Sequence, residues 1–274
     1  MGVSQLPTVA TQPIMSDPGK LKILIHGAAG VGKTTFASRF PGALFIATEA
    51  GTTHVESSDV SVNSWVEMVD VLKLIRDRAP EYSPDGNGPL RTVVIDTLDN
   101  AWKMCRDHMN KKNGIEHEQD LGFGKGSGMI LREFERVFDL ISKLGLGMVL
   151  ITHTADLEYT DKRGRSHTKF VSKLPAKPRG YISGLVDVIL FASIETGDDS
   201  KRRVLRTDAD ENYEAKDRTG ALPPTLPLDF GVFAGCFPTQ EPAVSPSVAT
   251  QEPAPGGQMS APWSKYDGGE LADR

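Results

Sequence analysis

Eight consecutive residues, Gly27-Ala28-Ala29-Gly30-Val31-Gly32-Lys33-Thr34, fit the pattern G-x-x-x-x-G-K-[ST] at every fixed position. Its glycines let the backbone curl until several N–H groups face one point, a geometry suited to a phosphate. Lys33 adds a point charge for the β- and γ-phosphates, and Thr34, followed by Thr35, offers a hydroxyl to Mg²⁺. ATP and Mg²⁺ are therefore the cofactors this stretch calls for. The ion's water shell needs an acid at the end of a neighbouring buried strand, and "TVVID" supplies Asp96. The next residue, Thr97, is no general base, so a base for hydrolysis has to come from elsewhere. Glu49, closing "ALFIATE", is the candidate, because parallel strands deliver their C-terminal ends to one crevice. Its alternative reading is a strand-end acid, paired with a nearby cation or solvated.

The elements that would hold these residues alternate in type. "KILIH" is a short apolar run leading into the glycine loop, and a helix from Lys33 must stop before Pro41. "ALFIAT" (43–48), "TVVID" (92–96), "GMVLITH" (147–153), "VDVILFA" (186–192) and "RRVLRT" (202–207) read as strands. Ser64 and Glu67 have capping-box spacing and open a helix with Val66, Met68, Val69, Leu72 and Ile75 inward. Ile130, Leu131, Phe134, Val137, Phe138, Ile141 and Leu144 share one face of a long helix that Gly145 ends. Apolar strands alternating with amphipathic helices predict an α/β domain, a mainly parallel twisted sheet covered on both faces. Three segments follow: a flexible arm over 1–19, the domain over 20–237, and a disordered Pro/Ser/Gly-rich tail over 238–274.

Composition excludes some classes. Of 274 residues, 39% are hydrophobic and 24% charged, with a formal net charge of −5, which suits a soluble protein and argues against a constitutive nucleic-acid coat. No apolar run approaches membrane-spanning length, and the N-terminus lacks the pattern of a secretory signal. Cys105 and Cys236 show no metal spacing, and His108, Glu116, His117 and Glu118 fit no zinc pattern. A reducing cytoplasm and no membrane partner are expected. The charge is uneven, however. Glu158–Tyr181 holds seven Lys/Arg against two acids, a local +5 that leaves −10 for the rest. Lys162, Arg163, Arg165 and Lys169, with Tyr159, Phe170 and Tyr181 among the basic residues, supply phosphate contacts and stacking platforms for single-stranded DNA. Gly164 has turn chemistry and puts Tyr159 and Phe170 on opposite arms of a hairpin. The plain alternative is a solvated basic loop, or one that docks a neighbouring subunit.

A P-loop, a strand ending in Glu49, and Asp96 followed by Thr97 resemble the RecA-like ATPases, whereas many AAA+ motors place the glutamate directly after the aspartate. "GFGKGSGMILREF", "ITHT", "VDVILF" and "AKDRTGALP" extend the likeness over roughly residues 20–232 to the phage-encoded RecA-like ATPases of the Sak type. That resemblance implies a RecA-like P-loop NTPase core working in single-strand annealing and homologous recombination. It implies that His153, where the recombinases proper carry Gln, senses the γ-phosphate and moves the following loop. It also implies that Lys216 and Arg218 reach the γ-phosphate of a neighbouring subunit, which requires a ring or filament. Strand-end capping by His153 and surface ion pairing by Lys216 and Arg218 are the plainer readings. Asn110–Gly128, polar and glycine-rich, is expected as a first mobile DNA loop. The tail tip, "WSKYDGGELADR", is either a docking peptide for a replication or single-strand-binding protein or inert. Two other functions stay open: a nucleotide-kinase-like phosphotransferase with the basic segment as a lid, and an ATP-gated helicase-loading or partner-binding module.

Overall fold

The computed structural model describes residues 17–49, 57–82, 89–122, 124–160, 164–197 and 200–237. The expectations for residues 1–16 and 238–274 lie outside the described residues. The description begins at Asp17, which accepts from the Gly19 amide at the start of a turn over Pro18–Lys20 and pairs with Arg91.

Five strands run parallel in the centre of one sheet: β1 (Lys22–Gly27), β2 (Ala43–Ala47), β4 (Thr92–Asp96), β5 (Gly147–Thr152) and β8 (Val188–Thr196). β3 (Ser58–Ser61) joins β2 at one edge, also parallel. At the other edge β9 (Lys201–Arg206) runs antiparallel to β8, and β11 (Thr225–Pro227) antiparallel to β9. The order is β11-β9-β8-β1-β5-β4-β2-β3, with β10 (Lys216–Asp217) pairing to the first residues of β8. β5 thus separates the glycine-loop strand from the strand that ends in Asp96. Strands β4 and β5 are buried along their whole length, as expected of strands covered on both faces.

Alternate residues of β1 feed two cores. Leu24 belongs to the face covered by α2 (Trp65–Arg78), α3 (Leu98–Lys112), α4 (Lys125–Ser142) and α5 (Ala176–Leu185); Ile23 and Ile25 belong to the face covered by α1 (Lys33–Ala37) and α6 (Phe230–Gly235). Phe134 of α4 centres the first core, stacked near Trp65 and edge-on to Trp102. Truncating such a ring to Ala costs about 3–5 kcal/mol. The expected α/β class, a mainly parallel sheet with helices on both faces, is the one adopted. No helix among the described residues is long and apolar enough to cross a membrane.

Several local expectations change. Ser64 does cap α2 through the Glu67 amide, but Val66 points outward at 49% exposure and Trp65 takes the inward place. Asn110–Gly128 is not one loop: Asn110–Lys112 end α3, Glu118–Leu121 form a 3₁₀ turn, and α4 begins at Lys125. The stretch after Lys173 is no loop either, since Ala176–Leu185 is helical. That helix holds Tyr181 far from any stacking role, with its hydroxyl bonded to Asp139 and to the Glu135 carbonyl.

Candidate functional site

Sheet register explains why residues distant in sequence meet. Ala47 lies beside Asp96, Asp96 beside Ile151, and Ile151 beside Ile25, so these parallel strands end at nearly one level. Just past that level stand Glu49, Thr97, His153 and the glycine loop. Together with Ala29, Gly30, Lys33 and Thr34 they line a cleft of about 510 Å³ open to solvent. Gly30 and Gly32 take the left-handed conformations (φ 73° and 111°) that side chains resist. Gly27 is needed for room, because a Cβ there would sit 2.4 Å from the Ala192 carbonyl oxygen.

Thr34 donates its hydroxyl to Asp96 at 2.7 Å, marking where a cation would find both oxygens. Lys33 folds over the loop and donates to the carbonyls of Gly27 and Ala28, each at 2.9 Å. Burial pushes its ammonium below the usual range, against the pull of Asp96, Asp99 and Glu49. Burial likewise pushes the Asp96 carboxyl up, opposed by the Thr34 hydroxyl and by Lys33. A hydroxyl, a carboxylate and an ammonium gathered beside exposed loop residues Ala28–Gly30 are the donor set that Mg²⁺ and a triphosphate need. Val31 is buried among the core residues beneath the loop, and Thr35 is exposed outside the cleft lining.

Glu49 accepts from the Thr97 hydroxyl at 2.9 Å. Thr97 is itself locked: its amide donates to the Thr48 hydroxyl, which donates back to the Thr97 carbonyl. Asn100 in the first turn of α3 bonds the Thr48 carbonyl. His153 makes two contacts to one acceptor that the motifs did not reveal. Asp99 receives the His153 amide at 3.3 Å and lies 3.0 Å from the ring Nδ1. Polar side chains of Glu49, Asp99 and His153 lie within 4.8 Å of one another. The one sequence cue was the spacing of Asp96 and Asp99, which puts the second acid a turn into the following helix.

His26, one residue before the loop, is also absent from the motifs. It is fully buried, 2.7 Å from the Glu214 carbonyl through Nε2 and 3.2 Å from the Thr154 hydroxyl through Nδ1. Since a carbonyl only accepts, Nε2 carries the proton. Burial lowers this imidazole from 6.5 to about 4, with Lys33 adding to the effect and the Glu214 bond opposing it.

The basic segment does form a hairpin, β6 (Thr154–Thr160) against β7 (Ser166–Ser172), starting directly after His153. Tyr159 and Phe170 sit on opposite arms. Lys162 and Arg163 lie outside the described residues. Arg165 is exposed at the tip, and Lys169 is half-buried opposite Leu157. Asp156 and Glu158 are exposed on the face that carries Phe170, so the arms are not a uniform basic ladder. The Phe170 ring stacks on Phe191, which stacks on Tyr213, yet it stays 39% exposed. Tyr159 stacks on His167.

Lys216 and Arg218 are placed apart from this cleft. Lys216 pairs beside Ile189, which pairs beside Leu24, three residues and about 10 Å down the strand from Gly27. Lys216 donates to the carbonyls of Ser183 and Val186, and Arg218 to that of Gly184, closing the C-terminal end of α5.

No curated protein matches the chain. Among solved structures, a KaiC-like protein from Pyrococcus horikoshii is similar at 12% identity and a TM-score of 0.41, covering 69% of this chain and 79% of that one. A family described as "AAA domain" matches residues 19–219. That span holds the glycine loop, Glu49, Asp96, His153 and both late cations, and the chain belongs to this AAA-domain family of P-loop ATPases.

Proposed function

We propose that the protein hydrolyses ATP with Mg²⁺, binds single-stranded DNA through the β6–β7 hairpin, and serves homologous recombination or annealing in a phage. One observation carries this reading: His153 lines the nucleotide cleft and Thr154 begins the hairpin. A change of nucleotide state at one residue therefore acts on the root of the other element. Lys33, Thr34 and Asp96 would hold Mg·ATP, which supplies the scissile anhydride and the cation that offsets its charge. Glu49, steadied by Thr97, orients the attacking water and takes its proton. Lys216 and Arg218 already bond helix carbonyls, so action on a neighbour's site uses the donors left over, within a ring or filament.

The test is ATP hydrolysis by the purified protein alone, with single-stranded DNA and with double-stranded DNA. Stimulation by single strands is expected, and indifference to both DNAs would remove the recombination reading. Neutralising Lys162, Arg163 and Arg165 together is expected to weaken DNA binding and flatten its salt dependence. A second reading, an ATP-gated protein-binding module, is favoured by one feature. Leu157 and Phe170, each 39% exposed, stand near the acids Asp156 and Glu158 on the hairpin. ATP-driven association with a protein in the absence of DNA would select it.

A further inference from the structure

The contact between Asp99 and His153 has a chemical consequence that follows from counting donors and acceptors. Asp99 stands in the first turn of α3 and receives both the main-chain amide and the ring Nδ1 of His153. An ionised carboxylate only accepts, so Nδ1 carries a proton. Nε2, at the far side of the ring, has no protein partner among the described residues, while the side chain lines the cleft with Lys33, Thr34 and Glu49. A phosphate oxygen arriving at Nε2 is also an acceptor. A ring held between two acceptors must carry a proton on each nitrogen.

We propose that Asp99 is a positioning residue that makes His153 an imidazolium when a γ-phosphate is bound, so that triphosphate binding takes up one proton and diphosphate binding does not. The proposal rests on the ATPase reading above and deepens it. It assigns this site a preference for triphosphate over diphosphate that strengthens as pH falls. The charged groups around the ring fit this balance. Asp99 from α3, Glu49 beyond β2 and Asp96 at the end of β4 face it as acids, and Lys33 of α1 opposes them. On the hairpin side, the Lys173 amide bonds the His153 carbonyl, and Asp156 is exposed nearby in sequence. A glutamine at position 153 would offer an amide donor without any proton from solution, which separates this arrangement from a neutral sensor.

The experiment is calorimetric titration with Mg·ATPγS and with Mg·ADP at pH 8, where an ordinary imidazole is neutral, in buffers of different ionisation enthalpy. The dependence of heat on buffer gives the protons taken up. About one proton per ATPγS is expected, with none for ADP, and the ATPγS/ADP affinity ratio should rise about tenfold per unit of falling pH. His153→Gln is expected to bind ATPγS with no proton uptake and a pH-independent ratio. Asp99→Asn should lose most of the uptake and most of the ATPγS preference, and Asp99→Glu should restore both. ATPγS binding by the wild type without proton uptake would overturn the proposal while leaving the ATPase reading intact. Full uptake in Asp99→Asn would remove Asp99 from its role. Failure to bind either nucleotide would overturn both readings.

Discussion

Two lysines at opposite ends of the same sheet each donate to a pair of backbone carbonyls, and the resemblance ends there. Lys33 holds Gly27 and Ala28, part of a loop whose residues Ala28–Gly30 face solvent. Lys216 holds Ser183 and Val186, the end of a packed helix. Around Lys33 stand three carboxylates and a cleft, so its bonds to the loop are replaceable by a ligand. Around Lys216 the carbonyls receive no other donor among the described residues, and its bonds finish a structure. A lysine tied to backbone carbonyls is thus a poor sign of catalysis by itself. What distinguishes the site is the set of acids that share its space.

The largest expected effect tests the first lysine. Lys33→Ala should abolish ATP binding, read by calorimetry, while leaving the fold intact by circular dichroism; unchanged affinity would dissolve the contrast altogether. Glu49→Gln comes next, with nucleotide affinity kept and turnover reduced about 10²–10⁴-fold, the range for a lost general base. Turnover near wild type would reduce Glu49 to a strand-end acid.

His26 sharpens the cleft side of the comparison through pH. The unfolded ring takes up a proton below 6.5 and the folded one only near 4, so the unfolded state binds more protons in that window. Stability is complete above 6.5 and is lost as pH falls toward 4, by about 3 kcal/mol for this group. Chemical denaturation across that range should show the loss, and His26→Gln should remove that part of the slope. The smallest effect belongs to Lys216. Lys216→Met should lower stability by about 1–3 kcal/mol, because carbonyls at the end of α5 lose their donor. Nucleotide affinity should stay the same. Mixing Lys33→Ala with Lys216→Met and Arg218→Met chains tests the remaining possibility. Recovered hydrolysis would give the far cations a role on a neighbour's nucleotide, and none would leave them as helix caps.

The nucleotide cleft was legible because its chemistry is local. The glycine loop is contiguous, and Asp96 and Glu49 each close a short apolar run that can be recognised without knowing the fold. Asp99 was not legible as a partner of His153, because 54 residues separate them and only the order β1-β5-β4 brings their strands together. Helix α5 was hidden by Pro175 and Pro178. These occupy its N-cap and first turn, where amides have no helical acceptor and proline is tolerated. Helix α3 does carry apolar residues at helical spacing, Leu98, Ala101, Trp102, Cys105 and Met109, but Lys, Asp and Asn dilute the pattern. The strands β3, β10 and β11 have two to four residues each, too few for any periodicity to show.

His26 has a consequence for how the molecule comes apart. Its ring joins the last turn of chain before the glycine loop to the root of the hairpin at Thr154 and to Glu214, two residues ahead of Lys216. Its face also lies on Phe191, which carries Phe170 and Tyr213. None of these segments can open fully without stranding a buried polar atom on another. The amide hydrogens of the end of β1, the hairpin root and the stretch at Glu214 are therefore expected to exchange with solvent as one cooperative unit.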